Sequence, residues 1–137
     1  MNLSNNIRIF KSRPLIESLN ESELSSLVSD FKLYKLTGQL PDTFGCDVPY
    51  DHPNTMPTLK NEDVRHLHLL DEDMKWQVNK LQFYKTSDTH LVYCQGGVDE
   101  NCYLLIAVLS PNAHEQARNN QVMFKIAIMA ENFRRKF

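Results

Sequence analysis

Two periods of apolar and polar residues alternate along this chain, and the places where one gives way to the other mark its elements. Asn6–Lys11 alternates, with Ile7 and Ile9 on one side, which predicts a first strand. Pro14 can open a short helix through Leu19. Asn20 and Glu23 have the spacing of a capping box. Leu24, Leu27, Val28, Phe31 and Tyr34 then recur on one helical face, and Gly38 stops the helix. Residues 38–62 lose all periodicity and hold four of the six prolines. Leu40, Phe44, Val48, Tyr50 and Met56 within them favour a packed loop, the kind that in a compact domain carries function. Val64–Leu70 predicts a strand, and a polar connection starting at Asp71 runs to about Lys80. A short strand over Leu81–Lys85 and two strong ones over Thr89–Gln95 and Asn101–Leu109 follow, the last two joined as a hairpin. Pro111 ends the sheet and opens a long final helix, whose stripe is Ala117, Val122, Ile126, Met129, Ala130 and Phe133. Strands joined by short turns and covered by helices predict an α+β fold with a largely antiparallel sheet.

Composition adds little beyond one domain over residues 1–137, with no repeat and no bilayer-length apolar run. The first residues lack a basic-then-apolar leader pattern, so a cytoplasmic protein is expected. Cys46, Cys94 and Cys102 are an odd number without close pairs, which argues against a disulfide framework. Charge changes the picture more. The net charge is −2, but residues 1–20 carry +2, residues 113–137 carry +3, and the segment between them carries −7. If the two ends meet in the fold, one face is basic, as phosphate contact requires.

The candidate chemistry is imidazole chemistry. His66 and His68 are two apart on a predicted strand and share a face, opposite Leu67 and Leu69. They make either a catalytic or RNA-binding surface or the polar side of a half-solvated strand. A His-x-His pair can also bind zinc, although no spacing identifies a third ligand. His114 and Arg118 stand four apart at the expected start of the last helix. There a cation, a proton carrier and free N–H groups could serve a phosphodiester. Tyr50 and Asp51 in the long loop are weaker candidates. His90 heads a strand and reads as structural. Trp76 and Phe83 are able to stack bases but read first as anchors.

Several runs match a known family in order and spacing. They are Leu40-Pro41-Asp42-x-Phe44-Gly45-x-Asp47, Val64-x-His66-x-His68-Leu69, and His90-Leu91-Val92-Tyr93-Cys94-Gln95-Gly96. Further runs are His114-x-x-Ala117-Arg118-x-Asn120 and Met129-Ala130-Glu131-x-Phe133-Arg134. From about Ile7 to Phe137 the chain resembles the YafO family of type II toxins. The resemblance implies a ribosome-dependent mRNA interferase that associates with the large ribosomal subunit and cuts mRNA during translation. It also implies a cognate YafN-like antitoxin, no membrane partner, and a RelE-like fold with helices on one face of an antiparallel sheet. The long loop and long final helix exceed those of compact RelE-like toxins, so the active site is placed here by residue chemistry.

That chemistry needs no cofactor, because RNA carries its own nucleophile in the 2′-OH. His66 or His68 is expected as the base, His114 as the acid and Arg118 as the phosphate clamp. Lys60, Arg134, Arg135 and Lys136 are expected to contact RNA or the ribosome. The alternatives are a ribosome-binding inhibitor that does not cut, and a metal-dependent hydrolase built on His66 and His68.

Overall fold

Local signals set the first elements. In the computed structural model, which describes residues 6–71, 74–76 and 80–137, the first strand is β1 (Arg8–Lys11). Ser12 follows it and caps α1 (Arg13–Ser18), its hydroxyl accepting from the Leu15 N–H at 3.1 Å. The capping box is present in full at α2 (Glu21–Thr37): Asn20 Oδ1 accepts from the Glu23 N–H at 2.8 Å, and the Glu23 carboxylate accepts from the Asn20 N–H at 3.1 Å. Gly38 ends this helix at φ +73°, a left-handed conformation that glycine adopts without strain. Residues 1–5 and part of the polar connection after Asp71 lie outside the described residues.

The aperiodic stretch 38–62 contains structure that periodicity did not predict. It holds an edge strand, β2 (Phe44–Pro49), and a short helix, α3 (Pro57–Asn61). The register of β2 shifts between Phe44 and Asp47, and this irregularity removes the two-residue period by which a strand is recognised. The strands β3 (Arg65–Leu69), β4 (His90–Gln95) and β5 (Cys102–Leu109) follow expectation. The short strand expected over Leu81–Lys85 is instead a 3₁₀ turn at Gln82–Tyr84. The single final helix is two helices, α4 (Ala113–Gln116) and α5 (Asn120–Lys136). Asn119 separates them, its side chain accepting from the N–H groups of Gln121 and Val122 to cap α5.

The five strands form one sheet in the order β1-β5-β4-β3-β2. All pairings are antiparallel except β1 with β5, which is parallel. The fold is α+β as expected, but helices cover both faces of the sheet rather than one. On one face Val64, Val92, Cys94 and Ile106 pack with Leu59 of α3 and with Met123, Ile126, Ala130 and Phe133 of α5. On the other, Leu67, Leu91, Tyr93 and Leu105 pack with Leu15 of α1 and Phe31 of α2. The unbroken burial of Leu91–Cys94 and Cys102–Ile106 has this cause, since a strand covered on both sides has no polar face to alternate with.

The chain ends meet. Phe10 of β1 lies 5.5 Å from Phe133 and 4.7 Å from Phe137 between ring centroids, and the Arg8 guanidinium lies over the Phe137 ring at 5.6 Å. Among the described residues no helix is long and apolar enough to cross a membrane.

Candidate functional site

Four of the five histidines converge at one end of the α5 face. Strand alternation puts His66 and His68 on the same side of β3, and the antiparallel register sets His68 directly opposite His90 on β4. Ring centroids are 5.4 Å apart for His66–His68, 5.0 Å for His66–His90 and 4.1 Å for His68–His90. His114, from α4, closes the group at 4.9 Å from His90 and 6.1 Å from His68. Tyr50, just past β2, stacks on His66 at 4.3 Å. The fifth, His52, is exposed, and its Nδ1 accepts from the Asn54 N–H.

Burial divides these rings into two kinds. His68 and His90 are buried, and His66 is half-buried. Loss of hydration pushes the pKa of His66 down to about 3 and that of His90 down to about 4, and neighbouring imidazoles push in the same direction. His68 is lowered by burial and by His114, and its Nδ1 accepts from the Ser87 N–H at 2.8 Å, which also favours the neutral ring. His90 Nε2 lies 3.0 Å from the Ser87 carbonyl, which can only accept, so Nε2 carries the proton and Nδ1 is left as a lone pair. That Nδ1, His66 Nδ1 and the Tyr50 hydroxyl are all buried without a partner among the described residues. Three rings are therefore neutral at pH 7; the acceptor nitrogen of His68 is taken by the Ser87 N–H, while that of His90 is unengaged among the described residues.

His114 differs, since its side chain is exposed and pairs with an acid. Its backbone N–H donates to Asp88 Oδ1 at 3.2 Å, and its Nδ1 lies 3.0 Å from the same oxygen. These contacts hold the Asp88 carboxyl below the usual carboxylate range. Asp88 also fixes the proton on Nδ1, which leaves Nε2 as the nitrogen with a free lone pair.

The remaining expected residues are more dispersed. Arg118 is exposed in the turn between α4 and α5, not one helical turn along a common face from His114, because the helix breaks there. The N-terminus of α4 offers no open anion seat either, since Asp88 already accepts from the His114 N–H and its carbonyl from the Ala113 N–H. Lys60 is exposed on α3, and Asp51 is exposed beside Tyr50. Arg134 is engaged, its Nη1 lying 3.5 Å from Glu62 and donating to the Asn61 carbonyl. Arg135 pairs with Glu131 at 2.9 Å on the exposed side of α5, and Lys136 lies over Phe137. Among the described residues, no three His, Cys, Asp or Glu side chains are arranged to hold a metal ion.

A second polar cluster lies on the opposite face, and it is centred on Asp47. This carboxylate is 6% exposed and accepts from the Tyr34 and Tyr93 hydroxyls at 2.8 Å. Arg65 Nε reaches it at 3.2 Å and Lys35 Nζ at 3.6 Å. Burial lowers the Lys35 pKa against the opposing pull of Asp47, and burial with Asp47 raises that of Tyr34 to about 12. Gln82 ties the cluster to the 3₁₀ turn by donating to the Tyr34 hydroxyl and the Gly45 carbonyl. Sequence reasoning passed over Lys35, Arg65, Asp88 and Tyr93. It set His90 aside as structural, because only the β3–β4 register places that ring against His68.

Comparison with known proteins agrees along most of the chain. The family described as "Toxin YafO, type II toxin-antitoxin system" matches residues 32–135. The mRNA interferase toxin YafO of Escherichia coli (strain K12) is 46% identical over 132 residues, covering 96% of this chain and 100% of that protein. No solved structure matches.

Proposed function

Since the chain belongs to the YafO family of type II toxin–antitoxin toxins, and so has an antitoxin as its expected partner, we propose that it is a cytoplasmic endoribonuclease that cuts mRNA on the translating ribosome. The observation that carries the mechanism is the His114–Asp88 pair at the rim of the imidazole cluster. His114 Nε2 takes the proton from the 2′-OH, and the 2′-oxygen attacks the adjacent phosphorus. Arg118, exposed in the turn that follows α4, meets the charge that develops on the phosphoryl oxygens. The protonated His114 then gives its proton to the departing 5′-oxygen, which leaves a 2′,3′-cyclic phosphate and a 5′-hydroxyl. Imidazole suits both steps because its ordinary pKa lies near 6.5.

His66 and His68 have a different part in this reading. His66, held near pKa 3, is a weak base at pH 7 and serves as a neutral ring beneath the scissile nucleotide, while His68, also lowered and tied to the Ser87 N–H, supports it from behind. Burial beneath Tyr50 keeps His66 neutral. Lys60 and Lys136, both exposed cations, extend the phosphate-contacting surface toward ribosomal RNA.

The test is induction of His114→Ala, Asp88→Asn and the wild type in a host lacking its major ribonucleases, with primer extension on translated messages. The wild type is expected to produce new 5′-hydroxyl ends. His114→Ala is expected to lose them by about a hundredfold or more, and Asp88→Asn by less. Growth arrest without new ends would make the protein a ribosome-blocking inhibitor, and 5′-phosphate ends would point to metal-activated water.

A further inference from the structure

A cavity of about 240 Å³ opens beside the Asp47 cluster, on the face of the sheet away from the histidines, and Tyr34, Asp47, Arg65, Gln82 and Phe83 line it. We propose that this cavity is a second RNA-contacting site, a seat for one phosphate and one stacked base of the message. The proposal rests on the nuclease reading above.

Charge is the first argument. Arg65 and Lys35 face the single carboxylate of Asp47, so the cluster has one positive charge in excess. Arg65 turns Nε to the Asp47 carboxylate and Nη2 to its backbone carbonyl, with the Tyr93 hydroxyl also beside it. The Arg65 side chain is nevertheless 30% exposed and lines the cavity, so these hydrogen bonds fix a partly accessible cation at the opening. A guanidinium fixed in this way suits a phosphate oxygen.

The second argument is an unexplained aromatic. Phe83 is 64% exposed at the rim of the cavity, with Tyr84 packed edge-on against it at 5.3 Å. Gln82, directly before Phe83, fixes the turn through its two hydrogen bonds, so the ring stands on an anchored support. An exposed ring next to a partly accessible guanidinium is the pairing used to hold single-stranded nucleic acid.

The third argument is continuity with the histidine site. Arg65 and His66 are consecutive on β3 and so point to opposite faces. On the edge strand, Asp47 lies three residues before Tyr50, roughly 10 Å of extended chain. A single strand of RNA crossing the β2 edge could therefore touch both sites.

The experiment measures protein affinity for ribosomes stalled on a message bearing 2′-O-methyl groups, which remove the nucleophile, and for empty ribosomes. The wild type is expected to prefer the message-bearing ribosomes. Phe83→Ala, a change at an exposed turn, is expected to reduce that preference by about fivefold or more. Arg65→Gln is expected to do the same and to flatten its log–log dependence on salt by about 0.7, the value for one phosphate of a single strand. Both should leave affinity for empty ribosomes near wild type. Phe83→Ala should also keep the unfolding midpoint, whereas Arg65→Gln lowers it by removing a partner of Asp47 and is measured at a temperature where it is folded. His114→Ala should retain the preference while losing cleavage. If either Phe83→Ala or Arg65→Gln retains the wild-type preference, or if the wild type cuts unmodified message without any preference, the seat is refuted and the nuclease reading stands. A wild type that neither prefers message-bearing ribosomes nor cuts would refute the nuclease reading and the seat with it.

Discussion

On one side of β3, Arg65 reaches a buried carboxylate at 3.2 Å; on the other side the next residue, His66, stacks on Tyr50 and faces two more imidazoles. Both groups are polar, partly buried and built on the same strands, yet they meet the cost of burial differently. The Asp47 side keeps its charges and surrounds the acid with two cations and two hydroxyl donors. The histidine side gives up its charge, since neutral imidazole is the form that burial favours. A charge-compensated cluster is rigid and depends on each member, whereas a neutral cluster is tolerant at pH 7 and vulnerable to acid.

The largest expected effect breaks the charged side. Asp47→Ala would leave Lys35 and Arg65 facing each other without an acid and would orphan the Tyr34 and Tyr93 hydroxyls. The loss should be about 3–5 kcal/mol, the usual result of removing one partner from a buried ionic group. Urea unfolding at pH 7 measures it, and a loss under 1 kcal/mol would mean that water already satisfies the cluster.

The next effect breaks the histidine side with acid. His66 and His90 have folded-state pKa values of about 3 and 4, against about 6.5 when unfolded. Between these limits the unfolded chain binds more protons, so stability is complete above about pH 6.5 and falls as pH drops toward 4. The groups around them are His68 and His114, with Asp88, Asp71 and Asp47 as the acids that temper the shift. Each of the two histidines should cost about 1–2 kcal/mol on going from pH 7 to pH 5. His90→Leu should remove its share of that pH dependence, and unfolding curves of the variant that run parallel to wild type across this range would count against the assignment.

The smallest effect separates two neighbouring arginines. Arg134→Ala loses the contacts to Glu62 and the Asn61 carbonyl and should cost about 1 kcal/mol. Arg135→Ala loses an exposed pair with Glu131 and should leave stability within about 0.5 kcal/mol. If the two variants unfold alike, the contact between α5 and the α3 end contributes nothing measurable.

Local order was readable where its cause is local. The capping box at Asn20 and Glu23, the stop at Gly38 and strands β3, β4 and β5 each follow from residues within a few positions of one another. Strand β2 escaped because its register shift breaks the two-residue period, and the last helix was misread because a stripe of apolar residues continues across the cap at Asn119. The candidate site was half legible: His66, His68, His114 and Tyr50 were all named, but nothing near them in the chain pointed to His90 or Asp88.

By itself, then, the sequence determined the capped start of α2, the strands β3, β4 and β5, the α+β class and the imidazole and cationic side chains available to the chain, because periodicity, capping and side-chain chemistry act within one turn or one strand. Tertiary structure alone decided that β1 joins β5 in parallel, that helices cover both faces, and that Lys35, Asp47, Arg65 and Tyr93 meet although Lys35 and Tyr93 lie 58 positions apart. It also decided which histidines can carry a proton. Burial against neighbouring strands lowers the pKa of His66, whereas His114 stands exposed beside Asp88, although both are the same residue.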